Sequence, residues 1–199
     1  KLLTETEQWV LIRKNLDRFD LDYYRPLGNP TKFISELIHH FSRLKDENIT
    51  PAEYLQYAED LEYNEDNKLS GAKLSGKSKK AKIKKVVAEN ETEGEALEVE
   101  RIKELANAYH VYNQLLLENN YLDFGDLIVY TLKLFSERPN ILKYYRQKFK
   151  YIMVDEFQDT NWAQYELVKM LAAPKNNLVV VGDDDQCLPG NSLILMKEK

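Results

Sequence analysis

The sequence predicts an α/β protein in which a short parallel sheet is joined to a larger, mainly helical region, and three observations carry that prediction. Tyr151-Ile152-Met153-Val154 is an uncharged run, rich in branched and aromatic residues, that ends abruptly at Asp155-Glu156. Asn177-Leu178-Val179-Val180-Val181 repeats the pattern and runs straight into Gly182-Asp183-Asp184-Asp185-Gln186. Between them, and along most of the chain before them, apolar residues recur at helical rather than strand spacing. Short apolar runs of this kind read as buried parallel strands, and ligands of open α/β sheets bind at the carboxyl ends of such strands.

The helical region is read from its start signals. Thr4-Glu5-Thr6-Glu7 is a capping box ahead of Trp9, Val10, Ile12 and Leu16, which share one helical face; this helix is expected to end near Phe19. Asn29-Pro30 offers an N-cap followed by proline at the first helical position, predicting a second helix through Phe33, Leu37, Ile38 and Phe41. His39 and His40 lie on it, but adjacent helical positions point about 100° apart, which suits one metal ion poorly. Thr50-Pro51-Ala52-Glu53 is a further capping box, with Tyr54, Leu55, Tyr57, Ala58 and Leu61 behind it.

Composition then changes. From about 64 to 95 the chain has few large apolar residues, and its charges segregate into a lysine run from Lys73 to Lys85 and a glutamate run from Glu89 to Glu100. Such a segment buries too little surface to offset its ordering entropy, so a mobile charged insertion is predicted, whose lysines are either a solvated loop or an arm for phosphates. Within it, Gly71 to Ser78 matches the phosphate-cradle pattern G-x-x-x-x-G-K-[ST] letter by letter. A working cradle follows a buried strand and opens a helix; here Asn64 to Lys68 precedes it and a lysine run follows, so the match is read as coincidence.

Periodicity returns from Leu97 to Asn119, predicting a long amphipathic helix. Asp123 is a cap for the next helix, whose Leu127, Ile128, Tyr130, Leu132, Leu134 and Phe135 suit packing against a sheet. Ile141 to Phe149 reads as a helix feeding the first strand, and Asn161 to Ala172 as the crossover helix of one βαβ unit.

The chemistry expected at the sheet edge follows from the acids. Asp155 offers a hard oxygen ligand for Mg²⁺ and its waters, and Glu156 beside it can take a proton from an attacking water. Phosphoryl transfer needs both services.

The same residues carry a resemblance. Val154-Asp155-Glu156-Phe157-Gln158-Asp159-Thr160-Asn161, followed by Gln164-Tyr165, resembles motif II of the UvrD/Rep family of superfamily 1 DNA helicases, and Val181 to Gln186 resembles motif III. Asp123, Phe124, Asp126 and Leu127 resemble the family's D-F-D-D-L segment, with Gly125 replacing one acid. The resemblance implies part of a RecA-like P-loop NTPase core, with residues 1–120 as an inserted helical subdomain and 121–186 as part of the first RecA-like domain. It further implies ATP and Mg²⁺ as cofactors, and single-stranded and duplex DNA as partners of a 3′ to 5′ translocase. Asp155 corresponds to the Mg²⁺ ligand, Glu156 to the catalytic carboxylate and Gln186 to the γ-phosphate sensor. Gln158, placed with them at the nucleotide, and Asp159 are expected to tie the two motifs together. The family's cradle would lie upstream of Lys1 and its second RecA-like domain downstream, so the chain reads as a fragment inactive by itself.

After Gln186 the family continues with Ser-Ile-Tyr, whereas this chain reads Cys187-Leu188-Pro189-Gly190-Asn191-Ser192. That block is similar to the start of an intein, which implies that 187–199 begins one and that Cys187 is its nucleophile; a thiol with a reference pKa of about 8.5 is competent for that step.

Composition sets outer bounds. Of 199 residues 43% are apolar, enough for a folded core, and a net charge of −5 speaks against coating nucleic acid by bulk charge. No apolar run approaches bilayer length and no signal peptide is evident, so a cytoplasmic protein without membrane contact is expected. The single cysteine rules out a disulfide within the chain. Two other readings compete: an ATPase subunit of a helicase-nuclease, and a non-enzymatic interaction module.

Overall fold

Thr4 and Glu7 start the first helix as expected. The Thr4 hydroxyl accepts the Glu7 amide and the Glu7 carboxylate accepts the Thr4 amide, and α1 runs Glu5–Lys14. It stops short of the expected end, and a single 3-10 turn at Leu16–Arg18 carries the chain on to buried Phe19. The structure, a computed structural model, describes residues 1–66, 83, 86 and 95–183, without the side chains of 64–66 and 95–98. The charged insertion, the cradle-like segment, the three-acid loop beyond Asp183, Gln186 and Cys187 therefore lie wholly or largely outside the described residues.

The second helix corrects the sequence reading. α2 spans Ile34–Asp46, with Phe33 rather than Asn29 at its cap position and no side-chain cap bond. Asn29 is engaged otherwise: its side-chain oxygen accepts the Thr31 hydroxyl at 3.2 Å, and its carbonyl accepts the Lys32 amide at 3.1 Å within consecutive turns. The proline-initiated helix thus loses to a turn that satisfies the same groups. α3 (Pro51–Asp66) begins at its predicted box, with Glu53 N–H donating to Thr50 Oγ1 at 3.3 Å and Thr50 N–H to Glu53 Oε2 at 3.0 Å. α4 is the long helix, Glu95–Glu118.

These helices belong to the first of two compact units, Lys1–Leu127 and Ile128–Lys199. In the first, α1 packs on α2 and α3 on α4. The apolar stripes meet around Phe41, Tyr54, Tyr109 and Tyr112, and the Phe41 and Tyr112 rings stack 5.1 Å apart. Buried tyrosine hydroxyls need partners. Tyr109 donates to the Ile49 carbonyl at 3.1 Å, and Tyr112 lies 2.9 Å from Asp123 and 3.1 Å from Gln8 Oε1. His40, also buried, sits 3.0 Å from the Tyr54 hydroxyl; burial first, and then the Arg43 charge, lowers its pKa to about 4.

An ion cluster lies in this core. Lys45, only 2% exposed, reaches Asp123 at 2.6 Å and Asp126 at 2.7 Å. The two aspartates also form the cap of α5 (Phe124–Glu137): Asp126 N–H donates to Asp123 Oδ1 at 2.9 Å and Asp123 N–H to Asp126 Oδ2 at 3.0 Å. Burial raises the Asp126 pKa, and the Lys45 charge opposes that. Gly125 is part of the arrangement, since a Cβ there would stand 2.8 Å from Lys45 Cδ and 2.9 Å from its Cβ. The side chain absent from this position leaves room for the lysine stem.

The first unit is closed by its own ends. Leu2 and Leu122 form a parallel bridge, with Leu3 N–H donating to the Leu122 carbonyl at 2.7 Å and Leu122 N–H to that of Lys1 at 2.9 Å.

In the second unit, α6 (Pro139–Lys148) leads into β1 (Ile152–Val154), α7 (Trp162–Ala172) crosses over, and β2 (Leu178–Val180) pairs parallel with β1. One expectation is corrected here. The strands are not buried: Met153 is 77% and Val179 51% exposed. A pair of strands with one crossover helix has too few neighbours to cover both faces. Along α5, Leu132 and Phe135 are buried, with Phe135 5.6 Å from the Tyr145 ring on α6, while Tyr130 and Leu134 remain exposed.

Candidate functional site at the carboxyl ends of the strands

The register is Ile152 with Leu178, Met153 with Val179 and Val154 with Val180. The pairing continues past the strands, with Val181 N–H donating to the Val154 carbonyl at 2.8 Å and Phe157 N–H to the Val181 carbonyl at 2.9 Å. Both chains therefore leave the sheet at one edge, and they deliver Asp155-Glu156 and Gly182-Asp183 to it.

The turn after β1 is tight. Glu156 takes left-handed backbone angles, φ 50 and ψ 47, before a 3-10 turn at Phe157–Asp159. Such angles are uncommon for a residue other than glycine. The chain then enters α7 through a capping box, with Gln164 N–H donating to Asn161 Oδ1 at 2.9 Å and Asn161 N–H to Gln164 Oε1 at 3.1 Å. Strand pairing on one side and the helix cap on the other hold the strained residue in place.

Asp155, Glu156 and Asp159 are exposed, whereas Gln158 is buried. Gln158 donates from its amide nitrogen to the Glu156 carboxylate and accepts the Asp183 N–H at 3.0 Å through its amide oxygen. The expected link between the two acidic segments is thus made by Gln158. Gly182 permits it, because a Cβ there would fall 2.7 Å from Gln158 Oε1. That steric role, and the left-handed Glu156, were not read from the sequence; the glycine directly after an apolar strand was the available signal.

The donor set fits a hydrated divalent ion. Among the described residues no group of three or more His, Cys, Asp or Glu side chains could enclose a metal. Exposed Asp155 and Glu156 at a strand end match instead the habit of Mg²⁺, which keeps several waters and takes one or two carboxylates together with substrate phosphates.

The geometry defines an α/β unit whose strand-end edge is acidic and cross-braced. Residues 5–188 match the UvrD/REP helicase N-terminal domain, and the chain belongs to that family. Over 94 residues it is 49% identical to DNA helicase II of Rickettsia typhi, a stretch covering 47% of this chain and 14% of that protein. Over 86 residues it is 54% identical to ATP-dependent DNA helicase PcrA of Staphylococcus aureus strain Mu50, covering 43% of this chain and 12% of that protein. The Probable DNA helicase II homolog of Rickettsia felis is 47% identical over 94 residues, again 14% of its length. The matched stretch is thus a small part of each relative. No helix among the described residues is long and apolar enough to cross a membrane.

Proposed function

We propose that this chain is part of an ATP-dependent DNA helicase that translocates 3′ to 5′ in the cytoplasm, with Asp155 and Glu156 at its hydrolytic centre. The supporting observation is the family match over residues 5–188, which takes in both acidic segments that the sheet brings to one edge. In this reading 1–120 is the inserted helical subdomain beside duplex DNA and 121–186 part of the first RecA-like domain.

Bound Mg·ATP supplies the phosphoryl group and the cation that neutralises its oxygens. Asp155 would hold that cation. Glu156 takes the proton of the attacking water, and the Gln158 amide, bonded to one carboxylate oxygen, fixes its direction. Gln186, three residues after Asp183 in sequence, senses the γ-phosphate and relays its loss to bound single-stranded DNA. In the full-length protein, Glu156→Gln should leave ATP binding largely intact and reduce hydrolysis by orders of magnitude. Normal turnover in that variant would remove Glu156 from the role. Asp155→Ala should weaken the dependence on Mg²⁺ itself.

The same proposal assigns 187–199 to the start of an intein. Cys187 attacks the Gln186 carbonyl carbon, the Gln186–Cys187 C–N bond breaks, a thioester forms, and the freed nitrogen takes up a proton. In a full precursor Cys187→Ala should block splicing, and mass spectrometry reads the result. A reading frame that continues past Lys199 into ordinary helicase sequence would refute this part alone.

A further inference from the structure

At the edge of the sheet opposite the acids, where β1 and β2 begin, the second unit carries a cleft of about 700 Å³. Its walls come from the end of α6, the end of α7 and the starts of both strands, and they carry Lys143, Arg146, Lys150 and Lys175 with no carboxylate among the lining residues. In a chain of net charge −5 this is a local reversal of sign. Arg146 is fixed to the wall, donating from Nε to the Met170 carbonyl at 2.8 Å. The three lysines are exposed, and among the described residues none of them is in an ion pair. Two aromatic side chains stand with them, Phe149 at 44% and Tyr151 at 74% exposure.

Clustered cations answer a row of phosphates, and exposed ring faces answer bases that are not paired. An acidic peptide would use the charges but not the rings. We propose that this cleft binds single-stranded nucleic acid: Lys143, Arg146, Lys150 and Lys175 contact successive phosphates, and Phe149 and Tyr151 stack on bases. The site is separate from Asp155 and Glu156 and needs no nucleotide, so its failure would leave the hydrolytic proposal untouched.

The test uses the whole 199-residue chain. Anisotropy of a labelled oligothymidylate of about 12 nucleotides is followed against salt, with each phosphate contact expected to contribute about −0.7 to the slope of log K on log salt. Lys150→Glu with Lys175→Glu, both on the surface, should weaken binding by about tenfold or more and flatten the slope by about 1.4. Tyr151→Ala and Phe149→Ala should each weaken it by about tenfold while leaving the slope unchanged. Circular dichroism checks that each variant keeps its helical content. Loss on charge reversal together with loss on aromatic removal supports the proposal. No binding, or binding unchanged by the charge reversal, which would place DNA on the Lys73 to Lys85 run, overturns it. So does an unchanged affinity in both aromatic variants, or equal competition by polyglutamate, which would make the cleft an anion or acidic-peptide site.

Discussion

The Gln158 amide oxygen accepts the backbone N–H of Asp183 at 3.0 Å, so a buried side chain from the turn after β1 holds the turn after β2. Its other end holds Glu156. One carboxamide thereby makes the position of the proposed base depend on the position of the neighbouring loop.

That dependence is open to a double-mutant cycle. Gly182→Ala places a methyl group 2.7 Å from Gln158 Oε1, so the carboxamide must move and the Asp183 amide loses its acceptor. A cost of about 1–3 kcal/mol is expected, of the size of an overpacked contact or a lost buried hydrogen bond. In a Gln158→Ala background the same substitution meets nothing at that point and should cost much less. Denaturant unfolding of the four proteins measures the coupling, and simple additivity would show that the two residues do not constrain each other.

Lys45 should be among the least replaceable residues of the first unit. Lys45→Met leaves Asp123 and Asp126 buried against each other with no cation, a change expected to cost about 3–5 kcal/mol. Adding Asp123→Asn and Asp126→Asn removes the repulsion while keeping acceptors for the α5 cap, so the triple variant should recover much of the loss. A single variant as stable as the parent would mean that the cluster is solvated.

His40 predicts a specific acid sensitivity. Its pKa falls from 6.5 to about 4 on folding, so between those values the unfolded chain binds a proton that the folded chain does not. Stability is therefore fully present above about pH 6.5 and is lost as pH drops toward 4, by an amount on the order of 3 kcal/mol. Asp126, whose pKa is raised on folding, acts in the opposite sense, because its folded form holds a proton more tightly than the unfolded chain does. The comparison that isolates His40 is stability against pH for the parent and for His40→Asn. The difference between the curves should change across the window and flatten above it; parallel curves would show that His40 is accessible in the folded state.

What could be read in advance was local. Thr4 with Glu7, Thr50 with Glu53, and Asp123 each declare a helix start through groups within one turn, and the structure uses all three. Asn29-Pro30 declared one as well and was overruled by Thr31, a neighbour that the cap rule ignores. The strand pair and the crossover helix were legible because an uncharged run that stops at acids has few alternative uses. Burial of the strands was not, since it depends on neighbours outside a pair. Lys45 left a signal that went unread: it continues the stripe of Ile34, Ile38 and Phe41 on α2, where a lysine has a place only if carboxylates come to meet it. Asp123 and Asp126 lie far along the chain, and periodicity within one helix does not reveal such partners.

The parallel bridge between Leu2 and Leu122 turns almost the whole first unit into one closed loop. The closure is local, made by the Leu3 to Leu122 and Leu122 to Lys1 hydrogen bonds, while the length it encloses is carried by the helices. The entropy of closing a loop grows only slowly with its length, so residues gained or lost inside it would cost the closure little. Cutting the Leu3 to Leu122 bond would instead release the first residues of the chain from the rest of the unit.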